Sequence, residues 1–308
     1  MSEVSRRGFF KMAGALAIAL GWPTSGLDDV AQALELLAAG SVPLIWLQGQ
    51  SCSGCSVSFL DAAYPDPARV ITHYASVEYH STLSAASGEL ALKALEQRLA
   101  AADYLLVVEG SVPLGMAQAC RVGEESMADM SVRAAKGAKA VVALGTCAAF
   151  GGIPAAPPNP TGAAAVSKLL ADNHIITPLI NLPGCPAHPD WLVGTLVHFL
   201  RYGPPTLNAQ GCPEMFYRTS IHDHCPQFYN YDAEKFAQFF GDEGCLFKLG
   251  CLGVRTFADC STRRWNNKTS WCVEAGAPCI GCAQPEFALA QDFPFYRIRE
   301  RSGEGEAQ

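Results

Sequence analysis

Between His222 and Cys282 the chain carries seven thiols, Cys225, Cys245, Cys251, Cys260, Cys272, Cys279 and Cys282, headed by the imidazole of His222. Short polar or glycine-containing segments separate them, so the stretch offers two sets of four soft donors. Thiolate with an occasional imidazole selects iron-sulfur clusters or structural zinc over hard cations. Zinc ribbons pair two C-x-x-C knuckles. In this stretch only Cys279-Ile280-Gly281-Cys282 has that form, and its partners are scattered. Iron-sulfur is the better match, with zinc as the competing reading.

Four more thiols sit where an α/β fold would gather them. From Val42 to about Tyr202, short apolar runs alternate with longer amphipathic ones. The runs Val42 to Leu47, Val70 to Tyr74, Tyr104 to Val108, Ala138 to Leu144 and Pro178 to Leu182 read as strands. Gly88 to Ala102, Gly162 to Asn173 and His188 to Tyr202 read as helices. That alternation predicts a parallel sheet covered on both faces. Ligands of such sheets bind at the carboxyl ends of the strands, where loops lead into helix N-termini. Cys52 and Cys55 follow the first strand, Cys147 the fourth and Cys185 the fifth, so three loops bring four thiols to one edge, enough for one cubane. Neighbouring glycines allow close backbone approach.

Other residues there read more plainly. Glu109 ends a strand at the same edge, placed for proton relay or for bonding nearby backbone N-H groups. The serines around Gly54 resemble a phosphate-cradling loop of a flavodoxin-type nucleotide site, but no G-x-G-x-x-G or Walker sequence accompanies them. Cys120 and Cys212 read as structural thiols, and His188 as a helix cap. His73, His80, His174 and His198 read as ordinary, and Met116, Met127 and Met130 as core. From Pro204 onward the alternation fades, and coordination rather than a large core is expected to hold that half together.

Composition narrows the classes. With 308 residues, 49% hydrophobic and 17% charged, the chain can bury a sizeable core and suggests two domains. A formal charge of -7 without a basic run excludes an extended nucleic-acid surface. Ser5-Arg6-Arg7-Gly8-Phe9-Phe10-Lys11 precedes an apolar run, Met12 to Trp22, that is too short to span a bilayer. The arginine pair resembles a twin-arginine signal, which exports proteins already folded around a cofactor, with Ala31-Gln32-Ala33 as a cleavage site. Thirteen cysteines in an exported chain would ordinarily suggest disulfides, but the number is odd. Metal loading before export accounts for them instead. No later apolar run reaches membrane-span length, so no anchor is expected.

Several motifs together resemble the small subunit of periplasmic, uptake-type nickel-iron hydrogenases. They are Trp46-Leu47-x-Gly49-x-x-Cys52-x-Gly54-Cys55, Glu109-Gly110-Ser111-Val112-Pro113, Gly145-Thr146-Cys147 through Pro154, Pro183-Gly184-Cys185-Pro186, His222-x-x-Cys225 and Ala275 through Cys282. The resemblance covers nearly the whole chain. It implies a twin-arginine signal peptide at 1-33, a flavodoxin-like doubly wound parallel sheet at 34-203, and an irregular, cluster-bound C-terminal domain at 204-308. It also implies three iron-sulfur clusters in a line, relaying electrons between a nickel-iron centre in a separate large subunit and an external acceptor. With no anchor, a soluble multihaem cytochrome c is favoured as that acceptor.

Carried over by position, Cys52, Cys55, Cys147 and Cys185 resemble the proximal ligands, and His222, Cys225, Cys245 and Cys251 the distal ones. Cys260, Cys279 and Cys282 resemble the medial set. His224 is poorly spaced to share a cluster with Cys225. Where many relatives have proline after a tryptophan and keep a three-iron medial cluster, this chain reads Trp271-Cys272. Cys272 would complete three 4Fe-4S clusters with twelve ligands; the medial one would be 3Fe-4S if Cys272 is not a ligand. This pattern, like Val57 where many relatives have glutamate, is closest to the nickel-iron-selenium type. Gln50, Ser51 and Val57 supply no acid for a proton path through that loop. The chain lacks the paired C-x-x-C motifs that would hold nickel, so it contributes no catalytic residue of its own. Two alternatives remain: the iron-sulfur subunit of a quinone-linked oxidoreductase, or an exported zinc or disulfide protein.

Overall fold

A computed structural model describes residues 42-62, 67, 70 and 75-289. The twin-arginine stretch, the apolar run, the cleavage site, His73 and the polar tail lie outside the described residues. Five strands form one sheet: β1 (Val42–Gln48), β2 (Ala75–His80), β3 (Tyr104–Glu109), β4 (Ala138–Leu144) and β5 (Leu179–Leu182). They lie side by side in the order β2-β1-β3-β4-β5, and every adjacent pair is parallel. The connections run through α1 (Gly54–Leu60), α2 (Gly88–Ala101), α3 (Met127–Gly137), α4 (Gly145–Phe150), α5 (Val166–Asp172) and α6 (Pro189–Tyr202). This is the flavodoxin-like doubly wound order, whose ligand crevice lies outside the carboxyl ends of the strands.

Pleating sends alternate residues to opposite faces. Ile45, Leu47, Leu106, Val108, Val141 and Ala143 pack on one face against Leu95, Met127, Met130, Leu169 and Leu170. Leu44, Trp46, Leu105, Val107, Val142 and Leu182 pack on the other against Trp191, Leu192 and Leu196 of α6. The second core continues without a break into Phe216, Tyr217, Leu246, Leu249 and Trp271. The C-terminal half therefore shares a core with the sheet, whereas coordination more than a large core was expected to hold it together. Its backbone is irregular as expected: among the described residues beyond 203, no regular segment is longer than Phe228–Asp232.

Two element expectations need correction. The apolar run Val70 to Tyr74 is not the second strand. Val70 is helical and buried, 71-74 fall outside the described residues, and β2 begins at Ala75, paired with Val42. A short apolar run cannot be told from buried helix by periodicity. The helix expected from Gly162 starts at Val166, because Ala163 and Ala164 pair antiparallel with Pro113 and Val112.

Caps set the helix starts that matter for the site. Ser126 accepts a bond from the Asp129 N-H at the head of α3. His188 Nδ1 accepts from the Asp190 N-H at the head of α6, 3.1 Å away, with Pro189 in the first turn. His188 is thus a cap, as expected. Its Nε2 also reaches the Arg264 carbonyl at 2.7 Å, tying α6 to the C-terminal half.

Candidate metal centres

The sheet brings the first four thiols to its carboxyl edge. Cys52 lies in the β1-α1 loop, Cys55 in the first turn of α1, Cys147 in the first turn of α4, and Cys185 between β5 and α6. The backbone around them leaves no room for side chains. Gly145, at φ +83°, would place a methyl 2.5 Å from Cys55 Sγ, and Gly152, at φ +54°, would place one 2.9 Å from Cys147 Sγ. Burial pushes the Cys55 thiol well up, and Glu109, Cys147 and Cys185 add to the rise. Burial pushes Cys147 up to about 12, with Cys185 and Cys52 adding. Burial and Cys52 raise Cys185. Cys55, Cys147 and Cys185 thus feel the charge of neighbouring thiols, with Cys52 a source at the last two, and only a cationic group among them would favour the thiolates together.

A second group forms around the C-terminal knuckle. Cys260 opens the short helix Cys260–Arg263 and is buried. Burial raises it, and Cys282, Asp259, Cys279 and Cys272 add to the rise. Burial pushes Cys279 up to about 12 and raises Cys282, with Cys272 adding in both. Cys272 itself is exposed, next to the buried Trp271. The Gly281 N-H donates to Cys279 Sγ at 3.4 Å.

The third group is built from turns. The Cys225 N-H donates to the His222 carbonyl, and Cys245 precedes the 3-10 turn Leu246–Leu249. Cys225 is raised by burial, then by Cys251 and Cys245; Cys245 is raised by burial, then by Cys251. His222 is half-buried, with its ring 4.4 Å from Tyr231 and 5.2 Å from Phe228, whereas His224 is exposed. A methyl on Gly253 would sit 3.5 Å from Cys251 Sγ and 4.0 Å from the backbone nitrogen of His222, so the turns that carry these two residues pass close to each other.

The groups also touch in order. Cys185 of the first contributes to the rise of Cys282 in the second, and Cys251 of the third to that of Cys279. The Cys279 N-H donates to Cys251 Sγ at 3.3 Å. Thr146 accepts from the Gly184 N-H and donates to the Cys282 carbonyl, stitching the first edge to the knuckle. Among the described residues, no three His, Cys, Asp or Glu side chains converge on the position of a single ion. Donors gathered in fours without closing on one point fit polynuclear clusters.

Cys212 lies in the core, and half-buried Cys120 donates to the Gln48 carbonyl, so both are structural as expected. Glu109 is buried and accepts from the N-H groups of Cys55 and Ser56 at 3.0 and 3.2 Å. Of its two expected uses, the structure shows the bonding one. His80 is not the ordinary histidine expected. It is buried, and its Nε2 lies 3.1 Å from Ser56 Oγ, which donates to Glu109. Gln48, His80 and Glu109 are the last residues of β1, β2 and β3, a placement hidden from the sequence reading because β2 was expected at Val70 to Tyr74.

Residues 52-199 match the family NADH ubiquinone oxidoreductase, 20 Kd subunit, and residues 217-296 match the C-terminal family of the NiFe/NiFeSe hydrogenase small subunit. The periplasmic NiFeSe hydrogenase small subunit of Desulfomicrobium baculatum is 40% identical over 96% of this chain and 99% of its own length. The periplasmic NiFe hydrogenase small subunit 1 of Nitratidesulfovibrio vulgaris is 40% identical over 95% of this chain and 93% of its own. In structure, the H2-activated NiFeSe hydrogenase of Dm. baculatum superposes with a TM-score of 0.81 at 41% identity, covering 84% of this chain and 100% of that one.

Proposed function

The chain belongs to the small subunits of NiFe and NiFeSe hydrogenases, the electron-transfer subunits of those enzymes, and from that premise we propose that it relays electrons through three four-iron clusters. Cys52, Cys55, Cys147 and Cys185 would hold the proximal cluster, and Cys260, Cys272, Cys279 and Cys282 the medial one. His222, Cys225, Cys245 and Cys251 would hold the distal one. When bound, such clusters supply reversible electron uptake at potentials set by ligands, hydrogen bonds and solvent.

This chain's residues do the positioning. N-H groups of Ala187, Gln227, Cys279 and Gly281 donate to the sulfurs of Cys55, Cys225, Cys251 and Cys279, delocalising thiolate charge and favouring the reduced state. Burial of Cys260 and Cys279 shields one side of the middle group, while Cys272 faces solvent on the other. The observation that carries the reading is the ordered contact of the three donor groups, the Cys147 turn to the Cys282 carbonyl through Thr146 and the Cys279 N-H to Cys251 Sγ.

In this reading the partner is the large subunit that holds the nickel-iron centre, and the acceptor is a multihaem cytochrome c. The complex is periplasmic, exported folded by the Arg6-Arg7 signal. No helix among the described residues is long and apolar enough to cross a membrane. The chain divides into a leader at 1-33, a sheet domain at 34-203 and a cluster-bound domain at 204-308. A quinone-linked subunit with a single cluster would account for the strand-end group and leave eight donors unexplained.

The test is acid-labile sulfide and iron in the purified heterodimer, sulfide being free of any contribution from the nickel-iron centre. About twelve sulfides are expected from three cubanes. About four would reduce the reading to one cluster, and zinc in place of iron would end it.

A further inference from the structure

Glu109 has more partners than a capping role requires. Among the described residues its two oxygens accept from six donors: Trp46 Nε1, Gln48 Nε2, Ser51 Oγ, the N-H groups of Cys55 and Ser56, and Ser56 Oγ. All are donors, the complement of an ionised carboxylate. The carboxylate is buried, and its charge is felt at both Cys55 and Cys147.

Behind it stands His80. Its Nδ1 faces the N-H groups of Thr82 and Leu83 at 3.1 and 3.2 Å, so that nitrogen accepts and the ring proton sits on Nε2. Nε2 therefore donates to Ser56 Oγ, 3.1 Å away, and the one proton of Ser56 goes to Glu109 Oε2. Gln48 Nε2 donates to the same hydroxyl, leaving it no other use for that proton. A charged ring would turn an N-H against two N-H groups. Burial agrees, lowering His80 to about 4 and keeping it neutral. The ring is pinned 4.9 Å from Trp46, whose indole bonds the same carboxylate.

We propose that His80 is a positioning residue for electron transfer through the proximal site: acting through Ser56, it holds the Glu109 carboxylate against the Cys55 turn and so fixes a negative charge beside the ligands. The inference rests on the reading of Cys52, Cys55, Cys147 and Cys185 as cluster ligands. A fixed negative charge opposes the arrival of an electron, so the intact chain keeps the proximal potential low. His80 itself brings no charge and touches no ligand.

The experiment is an EPR-monitored redox titration of the proximal signal in the heterodimer. His80→Phe, which keeps the packing and removes the donor, is expected to raise the midpoint potential, and His80→Gln, which can again present an N-H to Ser56, to bring it back toward the parent. Glu109→Gln should raise it at least as far as His80→Phe. The double variant should match Glu109→Gln alone, since His80 acts only through that carboxylate. Ser56→Ala cuts the same link without touching the ring, so it must shift the midpoint in the same direction even if His80→Phe fails to assemble. An unshifted midpoint in Ser56→Ala, or additive effects in the double variant, would overturn the inference while leaving the cluster assignment standing. A parent complex with no proximal signal would overturn that assignment and this inference with it.

Discussion

In the sheet half, Cys55 and Cys147 lie in the first turns of α1 and α4, and their positions are set by strands whose pairing does not involve the thiols. In the C-terminal half the order is reversed. Cys225, Cys245, Cys251 and Cys279 lie in single turns, loops and one isolated bridge, and the N-H groups of Gln227, Cys279 and Gly281 turn inward to sulfur. One half builds a frame and hangs donors on it. The other is shaped around its donors and leans on the frame through a shared core and a few buried polar links.

The largest expected effect follows from that contrast. Stripping iron from the heterodimer with a chelator under reducing conditions should leave amide hydrogen-exchange protection in β1, β3 and β4 and abolish most of it between 214 and 283. Simultaneous loss in both halves would mean that the shared core, with Trp191, Phe216 and Trp271 in it, makes them one cooperative unit.

Next comes the buried link between them. Arg263 is buried and bonds Asp190 at the head of α6 at 3.1 Å; Nε and Nη2 bond Asp259 at 2.9 and 2.7 Å. Trp191 Nε1 donates to the other oxygen of Asp259. Arg263→Ala would leave two carboxylates facing each other in a low-dielectric seam, and breaking such a pair from one side costs about 3–5 kcal/mol. Thermal melting of the complex checks it. A loss near zero would show that apolar contact alone fastens the halves.

What could be read from the residues divides along the same line. β1, β3, β4 and β5 were legible because strands buried on both faces are continuous apolar runs, as Tyr104 to Val108 illustrates. β2 was misplaced because it is an edge strand with a weak alternation, preceded by a more apolar run at Val70. The cysteines were legible by type and position in both halves, since soft donors in quantity have few other uses. The path of the backbone from 204 to 289 was not, because turns built around donors carry no period. His80 was missed for a different reason. Its role depends on the loop after β1 folding back over the end of β2, and no local pattern records that contact.

The smallest expected structural effect is at Cys272, where the comparison can be tested one corner at a time. The residue is exposed, its charge is felt at Cys260, Cys279 and Cys282, and among the described residues its own N-H donates to no other residue's backbone carbonyl. Proline there removes a thiol without removing a ladder bond, so the loop should hold its shape above the buried Trp271. If the C-terminal half is shaped by its donors, three remaining thiols should still keep it folded, while a cubane that needs a ligand on each iron loses one corner. Cys272→Pro should therefore leave the hydrogen-exchange pattern nearly unchanged and convert the medial site to a three-iron type with a more positive potential. EPR of the oxidised complex checks this: the parent should lack a medial three-iron signal and the variant should show one. Identical spectra would mean that Cys272 is not a ligand, and that the medial group rests on Cys260, Cys279 and Cys282 alone.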